Sequence, residues 1–154
     1  VIFPQEIHIS HSMKKYMKKH QLSMALNRDF GDTMHRCRMK RENQEGTWIS
    51  DEMEEAYVRL HRAGYAVSVE VSEDGELAGG FYGVCIGRCF FGESMFSEKE
   101  NGSKTALILF AHLLERKEFL FIDCQFHTEH LASMGGRYIA WEEYDGLLRE
   151  GTDL

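Results

Sequence analysis

From Ala66 the hydrophobic period of the chain is two. Val67, Val69 and Val71 alternate with Ser68, Glu70 and Ser72, which is the pattern of a half-buried strand and not of a helix. SEDGE then supplies a turn, LAGGFYGVCIG a second strand and RCFFG a third, so three consecutive antiparallel strands are expected. Gly79, Gly80, Gly83 and Gly87 weaken a strand unless a bulge or a closely approaching ligand requires a missing side chain.

Helical patterns flank this meander. Ser10 caps a short segment with Met13 and Met17 on one face and Lys14, Lys15, Lys18 and Lys19 around the rest. Phe30, Met34 and Cys37 mark a second helix. Ser50 caps a third, with Asp51 and Glu52 in its first turn, Met53, Ala56, Tyr57 and Leu60 on its core face and Gly64 as its stop. After GESMFSEKENGSK, expected as a loop, TALILFAHLLERK reads as an apolar helix and FLFIDC as a short buried strand of parallel type. A short helix through Glu129 to Met134, a Gly135-Gly136 stop and an amphipathic segment with Trp141, Tyr144, Leu147 and Leu148 complete the chain. Helices, a meander, then helix, strand and helix give an α/β fold with a mixed sheet flanked by helices. That order resembles the GNAT (acetyltransferase-like) fold.

With 154 residues, 43% of them hydrophobic, one domain covering 1–154 is expected. No apolar run approaches the roughly 18 to 20 residues of a membrane-spanning helix. Four irregularly spaced cysteines (Cys37, Cys85, Cys89, Cys124) do not form a disulfide framework and point to a reducing compartment. Cys85 and Cys89 with Cys124, His127 or His130 offer a zinc reading, but their CxxxC spacing lacks a zinc knuckle, so no metal is expected. Residues 1–45 carry nine Lys/Arg against five Asp/Glu, and residues 46–154 nine against twenty. The basic runs KKYMKK and HRCRMKR are therefore either solvated helix faces or phosphate contacts.

Two polar groups interrupt apolar surroundings, Gly92 to Ser97 and Asp123-Cys124-Gln125. In an extended segment Asp123 and Gln125 point to one side while Cys124 faces the core. They either converge on a substrate group or satisfy loop backbone. Glu93 either binds a cationic group or pairs with a lysine such as Lys104. No G-x-S-x-G elbow accompanies Ser94, Ser97 or Ser103, and the pyrophosphate loop of a coenzyme A enzyme is missing from the strand-to-helix junctions.

EGTWI (45–49), EAYVRLHRAGYAVSVEV (55–71), LAGGFYGVCIG (77–87), FFGESMFSEKENGSKTAL (90–107) and IDCQFHTEHLASMG (122–135) closely resemble leucyl/phenylalanyl-tRNA–protein transferases, in order, over most of residues 6 to 145. The resemblance implies a cytoplasmic aminoacyltransferase that moves Leu or Phe, less readily Met, from aminoacyl-tRNA to the N-terminal Arg or Lys of an acceptor protein, creating an N-end-rule degradation signal. An aminoacyl ester is already activated, so no cofactor or metal is implied, only an oriented amine and a place for the oxyanion.

By this resemblance Gln125 orients the amine, Asp123 holds Gln125 or the acceptor ammonium, and Glu93 places the donor amino group or the basic acceptor residue. Trp48 stacks on the terminal adenosine. Phe90, Met95, Ser97, Leu107, Phe110, Leu114 and Ile122 contact the donor, and Lys14, Lys15, Lys18, Lys19, Arg38 and Arg41 meet tRNA phosphates. The family carries a W-x-S-P-x-P-R block upstream of the stretch that VIFPQE begins, and it has an aromatic residue where this chain has Leu114, a smaller wall expected to favour Phe. A non-catalytic RNA- or peptide-binding module and an aminoacyl-tRNA-dependent transferase with another amine acceptor are the alternatives.

Overall fold

The computed structural model describes residues 1–42, 49–125 and 129–153. Its centre is a five-stranded sheet in the order β1 (Leu22–Leu26), β2 (Ala66–Glu73), β3 (Glu76–Ile86), β4 (Cys89–Ser97), β5 (Phe121–Asp123). The first four strands pair antiparallel, and β5 runs parallel to β4. The meander is closed by two-residue turns. Asp74 and Gly75 take φ of 52° and 87° between β2 and β3, the Asp-Gly pair that two positive φ values in a hairpin demand. Gly87, φ 58°, opens the turn between β3 and β4.

Helices cover both faces. On one lie α2 (Phe30–Glu42) and α3 (Asp51–Arg62), packing Phe30, Met34 and Cys37 against Ala66, Tyr82 and Phe96 of the sheet. On the other lies α4 (Gly102–Arg116), whose Leu107, Phe110, Ala111 and Leu114 are buried against Val69, Phe81 and Phe90. α4 is the crossover that makes the parallel β4–β5 pair possible. The basic helix α1 (His11–Lys19) is capped by Ser10 Oγ, which accepts from the Met13 N–H at 3.2 Å. The short α5 (Glu129–Ser133) and the final α6 (Trp141–Thr152) follow β5, and α6 packs Tyr144, Leu147 and Leu148 on Phe121 and Cys89. The free edge of β5 is taken by Ile2, whose N–H and carbonyl both bond Ile122.

Four features depart from the sequence reading. β1 was not foreseen, because LSMAL lacks both strong alternation and β-branched residues. Gly92 to Ser97 are not loop but the second half of β4. Leu60 is 38% exposed, because His61 takes the core-facing place on α3, its ring stacked on Phe30 at 4.5 Å and its Nδ1 against the Ala66 carbonyl at 2.8 Å. Gln125 is not extended. Its φ of 67° lies in the left-handed region, so the shared direction expected for Asp123 and Gln125 does not arise from strand alternation. No helix among the described residues is long and apolar enough to cross a membrane.

Candidate active site

The site forms where β4 and β5 part. Their pairing ends at Phe91 and Asp123, and just beyond it β4 bulges. Tyr82 opposes Ser94 and Gly83 opposes Gly92, leaving Glu93 as the extra residue between them. A bulge turns its residue out of the regular alternation and is a common way to aim a side chain at a site. Gly83 belongs to this arrangement, since a Cβ there would meet the Phe91 carbonyl and the Phe90 ring.

Four hydrogen bonds organise the gap. Asp123 Oδ1 accepts the Gln125 N–H at 2.8 Å, and Asp123 Oδ2 accepts the Tyr144 hydroxyl at 2.6 Å. The Gln125 amide nitrogen donates to the Gly92 carbonyl at 2.8 Å and to Glu93 Oε1 at 3.0 Å. Both donors of that amide are thereby committed, and its carbonyl oxygen is left to accept. Glu93 also faces Tyr57, whose pKa is pushed up to about 12, first by burial and then by the Glu93 carboxylate beside it. Asp123 and Gln125 therefore do come together, by a side chain-to-backbone turn across a left-handed residue.

Beside this cluster lies an apolar cavity of about 190 Å³. Phe90, Glu93, Met95, Leu107 and Ile122, all singled out from the sequence, line it. Phe81, Tyr82, Cys124, His130 and Leu131 line it too and were missed. Phe81 lies opposite Met95, in a register that the bulge sets and local sequence does not show. Leu131 and His130 had no signal either, because their helix reaches the cavity only through the tertiary fold. Burial, then Lys104, holds the His130 pKa below its ordinary value of 6.5, so this side chain adds no positive charge to the wall at neutral pH. Burial pushes the Cys124 thiol up to about 11.

Three residues expected to contact the donor do not line this cavity. Phe110 lies one layer deeper, edge-on to Phe81 and Phe90 at 5.3 and 4.8 Å. Leu114, 3% exposed, is core and does not line the cavity, so a smaller side chain there does not widen it directly. Ser97 caps α4, its Oγ accepting the Ser103 N–H at 2.9 Å. Lys14, Lys15, Lys18 and Lys19 are exposed on α1. Arg38 is not available in the same way: it pairs with Asp51 at 2.6 Å and Glu54 at 3.5 Å. Trp48, the Arg41 side chain, His127 and Thr128 lie outside the described residues. Among the described residues the cysteines do not join a metal-ligand cluster; the one grouping of ligand type is His20, Glu73 and Asp74.

A second, wider cleft of about 340 Å³ is walled by Gln125 together with Asp123, Cys124, Tyr138, Trp141 and Tyr144. The apolar cavity and this mixed cleft share Cys124 and Leu131 as walls.

A splayed β4–β5 pair under a mixed sheet is the architecture of GNAT-type acyltransferases. Accordingly, a ribosomal-protein-alanine N-acetyltransferase from Brucella melitensis biovar Abortus 2308 superposes with a TM-score of 0.53 over 79% of this chain and 95% of that one, at 14% identity. This likeness shows the fold alone. The sequence is more specific: the profile described as leucyl/phenylalanyl-tRNA protein transferase matches residues 1–149. The chain is 50% identical over 151 residues to the leucyl/phenylalanyl-tRNA–protein transferase of Syntrophus aciditrophicus (strain SB), covering 97% of this chain and 63% of that protein. It is 49% identical over 153 residues to the one of Nitrosomonas eutropha (strain DSM 101675 / C91 / Nm57), covering 99% and 65%. The chain belongs to the leucyl/phenylalanyl-tRNA–protein transferase family, and it spans a little under two thirds of the length of these curated relatives.

Proposed function

We infer that the protein, acting as one cytoplasmic domain, transfers Leu or Phe, and less readily Met, from aminoacyl-tRNA to the N-terminal Arg or Lys of an acceptor protein. The observation that carries this reading is the Gln125 amide in the wall of the wider cleft, with both N–H groups spent on Gly92 and Glu93 and its oxygen left to accept. The apolar cavity takes the donor side chain. A cavity of ~150 Å³ accommodates benzene, so about 190 Å³ suits a Leu or Phe side chain. One methylene is worth about 1 to 3 kcal/mol in such a pocket, which is why Met is tolerated. Trp48 stacks on the terminal adenosine, whose aromatic recognition is indifferent to sequence.

The acceptor enters through the wider cleft. An α-amino group has an ordinary pKa of about 8, so a neutral fraction is present at pH 7. Its N–H donates to the Gln125 oxygen, which aims the lone pair at the ester carbonyl. The new C–N bond forms, the ester C–O bond breaks, and the amine proton leaves with the ribose oxygen. Gln125 orients and carries no charge. Asp123 holds Gln125 in place, and Glu93 counters the positive charge of the donor amino group or of the acceptor side chain. The exposed lysines of α1 meet phosphates of the donor tRNA.

The test is transfer of radiolabelled Leu or Phe from tRNA to a protein beginning with Arg, alongside Gln125→Ala and Asp123→Ala. Transfer by the wild type that collapses in both variants supports the reading. Binding of aminoacyl-tRNA without transfer by any of the three favours a non-catalytic binding module instead.

A further inference from the structure

Tyr144 stands in α6, far along the chain from the Gly92–Glu93 bulge, yet it is built into the site. Its hydroxyl donates to Asp123 Oδ2 at 2.6 Å while Asp123 Oδ1 accepts the Gln125 N–H at 2.8 Å. Each oxygen of Asp123 therefore already answers a protein donor, one from α6 and one from the loop after β5. Gln125, at φ 67°, is in a conformation that a residue with a side chain holds only where its surroundings enforce it. The carboxylate of Asp123 is the enforcing group on one side, and the Gly92 carbonyl with Glu93 Oε1 on the other.

The tyrosine ring is itself fixed. Phe121 of β5 lies against it at 5.4 Å between centroids and Trp141, one turn back on α6, stacks on it at 5.9 Å. At its other end α6 is seated by close backbone approach: a Cβ on Gly151 would collide with the Cys89 sulfur, and the Arg88 N–H bonds the Gly151 carbonyl at 2.9 Å. Burial, and then Asp123, raises the Tyr144 pKa above its ordinary value, so the phenol keeps the proton it donates. A rigid helix thus presents one O–H to one carboxylate oxygen.

The geometry points to Tyr144 as a positioning residue for acyl transfer: its hydroxyl holds the Asp123 carboxylate in the rotamer that keeps Gln125 in its left-handed turn, with the amide oxygen aimed at the attacking amine. This rests on the reading of Gln125 as the group that orients the amine. Tyr144 acts through Asp123 and not on a reacting atom. Without the hydroxyl the carboxylate rotates to find another donor, the Gln125 N–H is released, the residue relaxes toward extended backbone, and its amide leaves Gly92 and Glu93.

Tyr144→Phe keeps the ring packing and deletes the donor. The expected result is a kcat for transfer to an Arg-starting peptide lower by about tenfold, the equivalent of one hydrogen bond, with the KM for aminoacyl-tRNA unchanged. Tyr144→Phe combined with Asp123→Ala is expected to be no slower than Asp123→Ala alone, since the hydroxyl has no route to the reaction except that carboxylate. In protein carrying ¹⁵N-labelled glutamine, the Gln125 side-chain amide resonances shift in Tyr144→Phe. Wild-type kcat with unmoved Gln125 resonances overturns the proposal, as does a double variant whose loss is the product of the two single losses. If the wild type transfers nothing while the Gln125 resonances still move in Tyr144→Phe, the transferase reading has failed and the Tyr144–Asp123–Gln125 linkage stands by itself.

Discussion

At the residue scale the site depends on which groups are already spoken for. His130 lines the apolar cavity with its pKa held below 6.5 by burial, so it is neutral at pH 7 and compatible with an apolar side chain beside it. A lowered value in the folded state means that its contribution to stability is complete above 6.5 and is lost as pH falls through the folded value. Protonation also places a charge in the cavity wall. The KM for Phe-tRNA is therefore expected to rise as pH falls from 7 to 5, and His130→Asn to flatten that rise; steady-state kinetics across this range checks both. Tyr57 has the opposite sign. Its pKa is raised from 10.0 to about 12, so its stabilising effect is present below 10 and disappears as pH climbs through 12. Urea midpoints measured from pH 8 to 11 should fall less in Tyr57→Phe than in the wild type.

At the element scale much was legible. Alternation announced β2, the turn at SEDGE announced the hairpin into β3 and the first half of β4 after it, and serines announced the starts of α1 and α3. Ser50 Oγ accepts the Met53 N–H at 3.2 Å, and Ser50→Ala is expected to cost about 1 kcal/mol, read from denaturant unfolding. What local pattern missed was set by contacts distant in sequence. Glu93 reads as loop because Gly, Glu and Ser are poor strand formers, and only pairing with β3 makes it a bulge. Gln125 departs from alternation because Asp123 caps its N–H. The apolar face of α6 was evident from Trp141, Tyr144 and Leu148, but not that one hydroxyl on it reaches a carboxylate 21 residues away. A contact equally invisible in local sequence holds α4 to β3: a Cβ at Gly102 would run into the Ala78 backbone. Gly102→Ala should destabilise by about 1 to 3 kcal/mol, as overpacking does, and lower the thermal midpoint further than Ser50→Ala.

At the scale of the whole molecule, charge is divided unevenly. The net charge is −7, yet the first 45 residues hold half of the 18 Lys and Arg. The structure separates two kinds of cation within that half. Arg36, Arg38 and Lys40 on α2 are paired with Asp32, Asp51 and Glu98, whereas the α1 lysines are exposed and have no carboxylate within ion-pair distance among the described residues. Replacing Lys14, Lys15, Lys18 and Lys19 by Gln should weaken tRNA binding and make it less salt-dependent, each lost phosphate contact reducing the log–log slope by about 0.7 to 0.9. The same four substitutions should leave unfolding free energy within about 0.5 kcal/mol. A filter-binding series from low to high salt distinguishes this from a merely solvated helix face.

In the proposed reaction the apolar cavity chooses the acyl group and the Gln125 oxygen aims the amine. The most direct measurement offers the protein a full mixture of aminoacylated tRNAs together with an Arg-starting acceptor and reads the product's new N-terminal residue by mass spectrometry. Leu and Phe, with a minor share of Met, are the expected new N-terminal residues, and Gln125→Ala is expected to give no product. A product headed by a small or charged residue, or extension by Gln125→Ala at the wild-type rate, would contradict this reading.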